Sequence, residues 1–244
     1  MNALAPLILL CSLLGASSVG AADFRVGVEL QPYQPFYSVQ DGEYQGYARE
    51  LLDAFAANQG HRFHYVPLPV RRLLNDFLAA KVDFKFPDDP QWNADLKQGH
   101  RIYYSQAAAA YTDGVLVSPE HLGKGMQRIQ VLGTQRGFTP WPYLPQIESG
   151  QLSVSLSNHV SSLLQMAVNG RVDAIYLNLQ VARHALTVDR LPADALVFDP
   201  SLPHVEGHYF LSSQHHPEVI AEFDAFLRKN PALLRRLKAK YALD

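Results

Sequence analysis

A segment near residue 80 is written again near residue 170. Residues 71–83 read RRLLNDFLAAKVD and residues 161–173 read SSLLQMAVNGRVD. Leu73 and Leu74 align with Leu163 and Leu164, and Lys81-Val82-Asp83 with Arg171-Val172-Asp173, at a constant offset of 90 residues. Each copy has the apolar spacing of an amphipathic helix and runs into a short apolar strand, VDFKF or VDAIYL. Helix-to-strand joints resemble one another in unrelated places, so the echo alone is compatible with coincidence. The elements around it favour a duplicated unit. FRVGVEL and RFHYVPL read as strands flanking a helix over GYARELLDAFAANQG, while RIQVLGTQ and LSVSLS are strands separated by the Pro-rich TPWPYLPQIESG.

Strands alternating with helices predict an α/β fold with two mixed, mostly parallel sheets flanked by helices, one sheet in each of two lobes. Residues 103–120 form an extended run leading out of the first lobe, and residues 195–213 can carry the chain back. The expected division is residues 23–112 with 205–244 for one lobe and 113–204 for the other. The tail from Pro217 reads as two helices, with Pro231 near the start of the second, packed on the first lobe. Two crossings imply a hinge over a cleft that closes on a ligand.

Residues 1–22 are apolar from Leu4 to Leu14 and end in small residues, the pattern of an export leader cleaved after Ala21 or Ala22. The single cysteine, Cys11, lies inside this leader behind Leu10 rather than a small residue, which argues against lipid anchoring. The mature chain then carries no thiol chemistry and no disulfide, and a periplasmic location is expected. A net charge of −2 with 18% charged residues gives no basic footprint for nucleic acid. The ten histidines include His204 and His208, four apart, but Pro203 and Gly207 argue against a helix that would present both. No serine sits in a Gly-x-Ser-x-Gly elbow. Neither a metal, a cofactor nor a catalytic residue is expected.

The stretch VGVELQPYQPFYSVQDGEYQGYARELLDAFA, the GRVDAIYLN strand and the C-terminal helical pair together resemble the extracellular solute-binding proteins of family 3, over essentially the whole mature chain. The resemblance implies a two-lobe, type II-like periplasmic-binding-protein fold that binds a small solute and performs no chemistry. It assigns Tyr33 as an aromatic stacking on the ligand. After the first Val-Asp the family has hydroxyl residues and an arginine, where this chain reads FKFPDDPQWNADLKQGHRIYYS. Lys97 is the nearest cationic substitute or a solvated loop residue, and Trp92 offers an aromatic wall. Lys85, alternating with Phe84 and Phe86, faces either the cleft rim or a polar sheet face, with Asp88 or Asp89 as partner.

In the second lobe GTQRGFT resembles the family's strand-to-helix turn for a ligand carboxylate. Arg136 and Thr139 are the expected contacts there, and Phe138 replaces a small residue. Asn178 stands where the family commonly has an acid for the ligand ammonium. Arg72, beside Arg71, matches a basic position at a helix start, facing either an anionic ligand or solvent. The resulting expectation is a monomeric receptor for a small polar or anionic solute, an amino acid or related compound, serving an inner-membrane ABC permease. Alternatives are a sensing receptor without a permease, or a dehydratase or lyase on the same fold using Glu29, Asp88 or Glu206.

Overall fold

The computed structural model describes residues 22–243, and the expected leader lies outside them apart from Ala22. The first half opens with β1 (Asp23–Glu29), followed by the hairpin β2 (Ser38–Gln40) and β3 (Glu43–Gln45). It continues through α1 (Tyr47–Gln59), β4 (Arg62–Leu68), α2 (Val70–Leu78), β5 (Phe84–Asp88) and the short β6 (Tyr103–Tyr104). The long β7 (Ala109–Val117) leads to β8 (Val131–Gln135), α3 (Leu144–Glu148), β9 (Ser153–Ser157), α4 (Val160–Val168), β10 (Ala174–Asn178) and α5 (Leu179–Val188). β11 (Val197–Phe198) and the long β12 (Val205–Ser213) return the chain to α6 (Pro217–Lys229) and α7 (Pro231–Lys240). Among these described residues no helix is long and apolar enough to cross a membrane.

The helices form where the sequence asks for them. Tyr47, Leu51, Leu52 and Phe55 bury one face of α1, and Gly60 closes it in the left-handed conformation with its N–H on the Ala56 carbonyl. Pro217 and Pro231 open α6 and α7, where a missing N–H costs nothing. α6 packs against α1 through Phe55, whose ring lies 5.0 Å from Phe223 and 5.6 Å from Phe226.

Strand order is β4-β1-β5-β12-β7-β10-β8-β9. β1 is parallel to both β4 and β5, and β8 is parallel to both β9 and β10. The nine-residue strands β7 and β12 run antiparallel between these two parallel triplets and join them. The expected junctions, 112/113 and 204/205, fall inside β7 and at the first residue of β12. The halves also meet away from these strands. His184 of α5 shares a groove of about 370 Å³ with Gln34, Pro35, Tyr44 and Arg49 of the first half.

The 90-residue echo extends to atomic detail. α2 and α4 begin and end 90 residues apart, as do β5 and β10. After each helix the chain turns through a residue with positive φ, Ala80 at 55° and Gly170 at 66°, before Lys81 N–H and Arg171 N–H bond the carbonyls of Asp76 and Met166, both at 2.8 Å. Asp83 then accepts from the Arg25 N–H at 2.6 Å, and Asp173 from the N–H groups of Gln130 and Val131 at 2.9 and 2.8 Å. Each carboxylate pins the start of the neighbouring strand.

Above each clamp a glycine admits the helix. A Cβ on Gly27 of β1 would stand 2.5 Å from Leu73 and 3.0 Å from Val82, and one on Gly133 of β8 would stand 2.8 Å from Leu163 and 3.2 Å from Val172. The same leucine and valine of the repeat therefore close on a glycine strand in both halves. Gly27→Ala and Gly133→Ala should each lower unfolding free energy by about 1–3 kcal/mol through overpacking, read by urea denaturation. Unchanged midpoints would show that helix and sheet are not in this contact.

Candidate ligand-binding cleft

The carboxyl ends of β1, β5, β8 and β10 face the join between the halves, where open α/β sheets place their ligands. From β1 the chain delivers Glu29 and then a tyrosine-rich turn. Tyr33 and Tyr37 exchange backbone hydrogen bonds at 2.9 and 3.2 Å, which holds their rings stacked 5.3 Å apart. The Tyr37 hydroxyl donates to Glu29 at 2.5 Å. Burial raises the Glu29 carboxyl against the opposing pull of Lys85 and of that hydrogen bond.

The aromatic surface continues into the second half. Tyr33 lies 6.2 Å from Phe138, and Phe138 lies 5.7 Å from Tyr176 of β10. From the crossing strands, Tyr111 of β7 and Tyr209 of β12 stack at 4.7 Å, with Trp92 about equally close to both at 6.0 and 5.9 Å. Tyr33 and Tyr176 are buried, and neither hydroxyl meets hydrogen-bond geometry with a partner among the described residues, although that of Tyr33 stands beside the Tyr209 hydroxyl. Such unmet groups are costly in a finished core and ordinary in a binding site awaiting its ligand.

Asn178 ends β10 and caps α5. Its Oδ1 accepts from the N–H groups of Gln180 and Val181 at 3.0 and 3.1 Å, and its Nδ2 donates to Asp113 at 3.1 Å. Asp113 is the cross-strand neighbour of Asn178 on β7 and shares a strand face with Tyr111. Desolvation pushes its carboxyl up to about 7, despite the Asn178 hydrogen bond that pulls the other way. The Tyr33, Tyr111, Tyr176 and Tyr209 hydroxyls all sense the Asp113 charge, and burial together with that charge keeps them protonated.

Asp88 occupies the matching position of the first half, 90 residues before Asn178. It is fully buried and gathers Lys85 at 2.8 Å, Lys97 at 2.9 Å and the Ser212 hydroxyl at 2.7 Å. Burial pushes this carboxyl up, but the two lysines outweigh it and hold Asp88 below the usual range. Burial also lowers Lys97, against its attraction to Asp88. Each lysine spends a second hydrogen on a backbone carbonyl, Lys85 on Pro87 and Lys97 on Asp89, both at 2.7 Å.

The nine residues singled out in the sequence therefore separate into groups. Tyr33, Trp92, Phe138 and Asn178 come together around the aromatic surface, with Thr139 half-buried beside Phe138. Lys85 lies behind that surface, 5.6 Å from the Trp92 ring, and both lysines are bound to Asp88. Arg72 is 70% exposed and leans back on Asp76 at 3.4 Å, while the exposed Arg136 donates to Asn158 at 2.9 Å.

The expected strand-to-helix turn at 133–139 also differs. β8 runs into a turn, a 3₁₀ segment (Trp141–Tyr143) and only then the five-residue α3, because Pro140, Pro142 and Pro145 prevent an earlier helix. Asp113 and Tyr111 escaped sequence reading because AYTDGVLV reads simply as an extended crossing, and Tyr176 and Tyr209 because each sits inside a strand that reads as core. Alternation of Tyr111 and Asp113 on one strand face was the available signal. Among the described residues no group of three or more His, Cys, Asp or Glu could hold a metal.

No family model matches the sequence, and no curated protein is similar to it. Solved structures are similar throughout the chain. An ancestral amino-acid-binding protein described as a precursor of cyclohexadienyl dehydratase superposes with a TM-score of 0.65 at 19% identity, covering 90% of this chain and 95% of that one. A histidine kinase sensor domain with similarity to periplasmic binding proteins gives 0.69 at 17% identity, covering 89% and 95%. An ancestral arginine-binding protein bound to arginine gives 0.66 at 18%, covering 90% and 97%. The fold is that of the periplasmic binding proteins.

Two variants probe the paired positions. Asp88→Asn should cost about 3–5 kcal/mol in chemical denaturation by stranding two buried lysines. Asn178→Asp keeps a cap but sets a second carboxylate against Asp113. At acid pH one proton is shared, and as pH rises above neutral both must ionise, so its stability deficit should be larger at pH 8 than at pH 5. A deficit independent of pH would contradict the assigned contact.

Proposed function

We propose that the protein is a solute receptor that closes two lobes, residues 23–112 with 205–244 and residues 113–204, around a small molecule without transforming it. The unpartnered hydroxyls of Tyr33 and Tyr176, buried on opposite halves beside the same carboxylate, carry this reading. Tyr33, Trp92 and Phe138 supply apolar walls, and Asn178 fixes Asp113 at the floor. Lys85 and Lys97 brace the first wall through Asp88. Arg72, Arg136 and Thr139 stand at the periphery, where they can guide approach.

The similar structures support a solute of the amino-acid type in size and polarity. The export-leader pattern of residues 1–22 supports a periplasmic location, with an ABC permease as the recipient of the loaded form. Similarity to a histidine kinase sensor domain favours one other recipient, a membrane sensor. For an enzyme on this fold Asp88 is a poor base, since two lysines and a serine hydroxyl occupy its oxygens.

A thermal-shift screen across amino acids, amines, dicarboxylates and nucleosides should yield at least one compound that stabilises the protein by about 3–4 kcal/mol at saturating excess. Small-angle X-ray scattering should show a smaller radius of gyration with that compound than without it. Stabilisation without compaction would contradict lobe closure, and product formation from the bound compound would contradict a purely binding role.

A further inference from the structure

Three of the four cations that the sequence offers to a carboxylate are already paired with acids, and the fourth, Arg136, is exposed. Lys85 and Lys97 share Asp88, Arg72 pairs with Asp76, and Arg136 bonds Asn158. Two of the backbone donors in the turn after β8 are also taken. The Arg136 N–H bonds the Ser157 carbonyl at 2.8 Å and the Phe138 N–H bonds the Gln135 carbonyl at 3.0 Å. Pro140, Pro142 and Pro145 have no N–H to give. At the start of α5 the Asn178 side chain takes the N–H groups of Gln180 and Val181. A ligand carboxylate set beside Asp113 would lose its water and meet a like charge, with little in return.

A cation meets the opposite situation. Among the described residues Asp113 presents a carboxylate whose one side-chain bond is to the Asn178 amide, its cross-strand neighbour at the end of β10. The unpartnered Tyr33 and Tyr176 hydroxyls can each accept a hydrogen from an ammonium. The stacked Tyr111 and Tyr209 rings add the electron-rich surfaces that attract organic cations.

We propose that the cleft selects an organic amine that lacks a carboxylate, its ammonium seated on Asp113 between Tyr33 and Tyr176. This rests on the receptor reading above and narrows it from amino-acid-like solutes to their decarboxylated counterparts. Recognition of the rest of the molecule falls to Trp92 and Phe138, which accept flat or aliphatic groups by burial.

Isothermal titration calorimetry of the full protein tests this with compound pairs that differ only by a carboxylate: 1,5-diaminopentane against lysine, 4-guanidinobutylamine against arginine, and tyramine against tyrosine. At least one amine should bind at least tenfold more tightly than its amino acid, and succinate should not bind. Asp113→Asn should weaken that amine at least a hundredfold while its melting curve confirms a folded protein. Tyr176→Phe, which keeps the ring, should weaken it about tenfold, the scale of one lost hydrogen bond. Tighter binding of any amino acid than of its amine overturns the proposal, as does unchanged affinity in Asp113→Asn or silence from all three pairs. Lobe closure on succinate, or on an amino acid bound more tightly than its amine, would leave the receptor reading standing while removing this one.

Discussion

The side chain of Asn178 serves two neighbours at once. Its oxygen closes the exposed N–H groups of α5, and its nitrogen steadies the Asp113 carboxylate across the strand pair. A primary amide of this length offers an acceptor to the helix and a donor to the acid. An aspartate could cap α5 equally well, but it would set two carboxylates together in a desolvated corner. The neutral residue at the end of β10 and the acid at the centre of β7 are thus one arrangement.

The duplicated unit explains why this corner exists. Both halves use the same device: a helix lowered onto a strand glycine, a turn, and an aspartate that grips the neighbouring strand. The repeat places the last residue of β5 and of β10 at the rim of one cleft. There the copies diverge. Asp88 is buried under two lysines and becomes part of the framework, whereas Asn178 leaves the charge of its half to Asp113. In one half the acid is neutralised by two lysines, and in the other Asp113 is held by an amide alone among its side-chain bonds to the described residues.

Much of the fold was legible because it rests on local signals that repeat. The Leu-Leu…Val-Asp echo, Gly60 after α1 and the prolines opening α6 and α7 each fix a boundary through backbone chemistry that one sequence displays. The site was legible only in part. Tyr33, Trp92, Phe138 and Asn178 were singled out largely through the family resemblance, and the structure brings them together around one aromatic cluster. Arg72 and Arg136 were expected to face an anionic ligand, but on exposed faces Arg72 pairs with Asp76 and Arg136 donates to the neutral Asn158 amide. The missing partner, Asp113, is set by cross-strand register between β7 and β10, a relation across 65 residues that no local pattern encodes.

The account turns on the environment of that one carboxylate. A carboxyl-detected nuclear magnetic resonance titration of the ligand-free protein, with the Asp113 signal assigned through Asp113→Asn, measures it directly. Desolvation at this position predicts a midpoint near 7, about three pH units above an ordinary aspartate. A midpoint close to 4 would mean that Asp113 is solvated, and the cleft as described here would not hold the charge assigned to it.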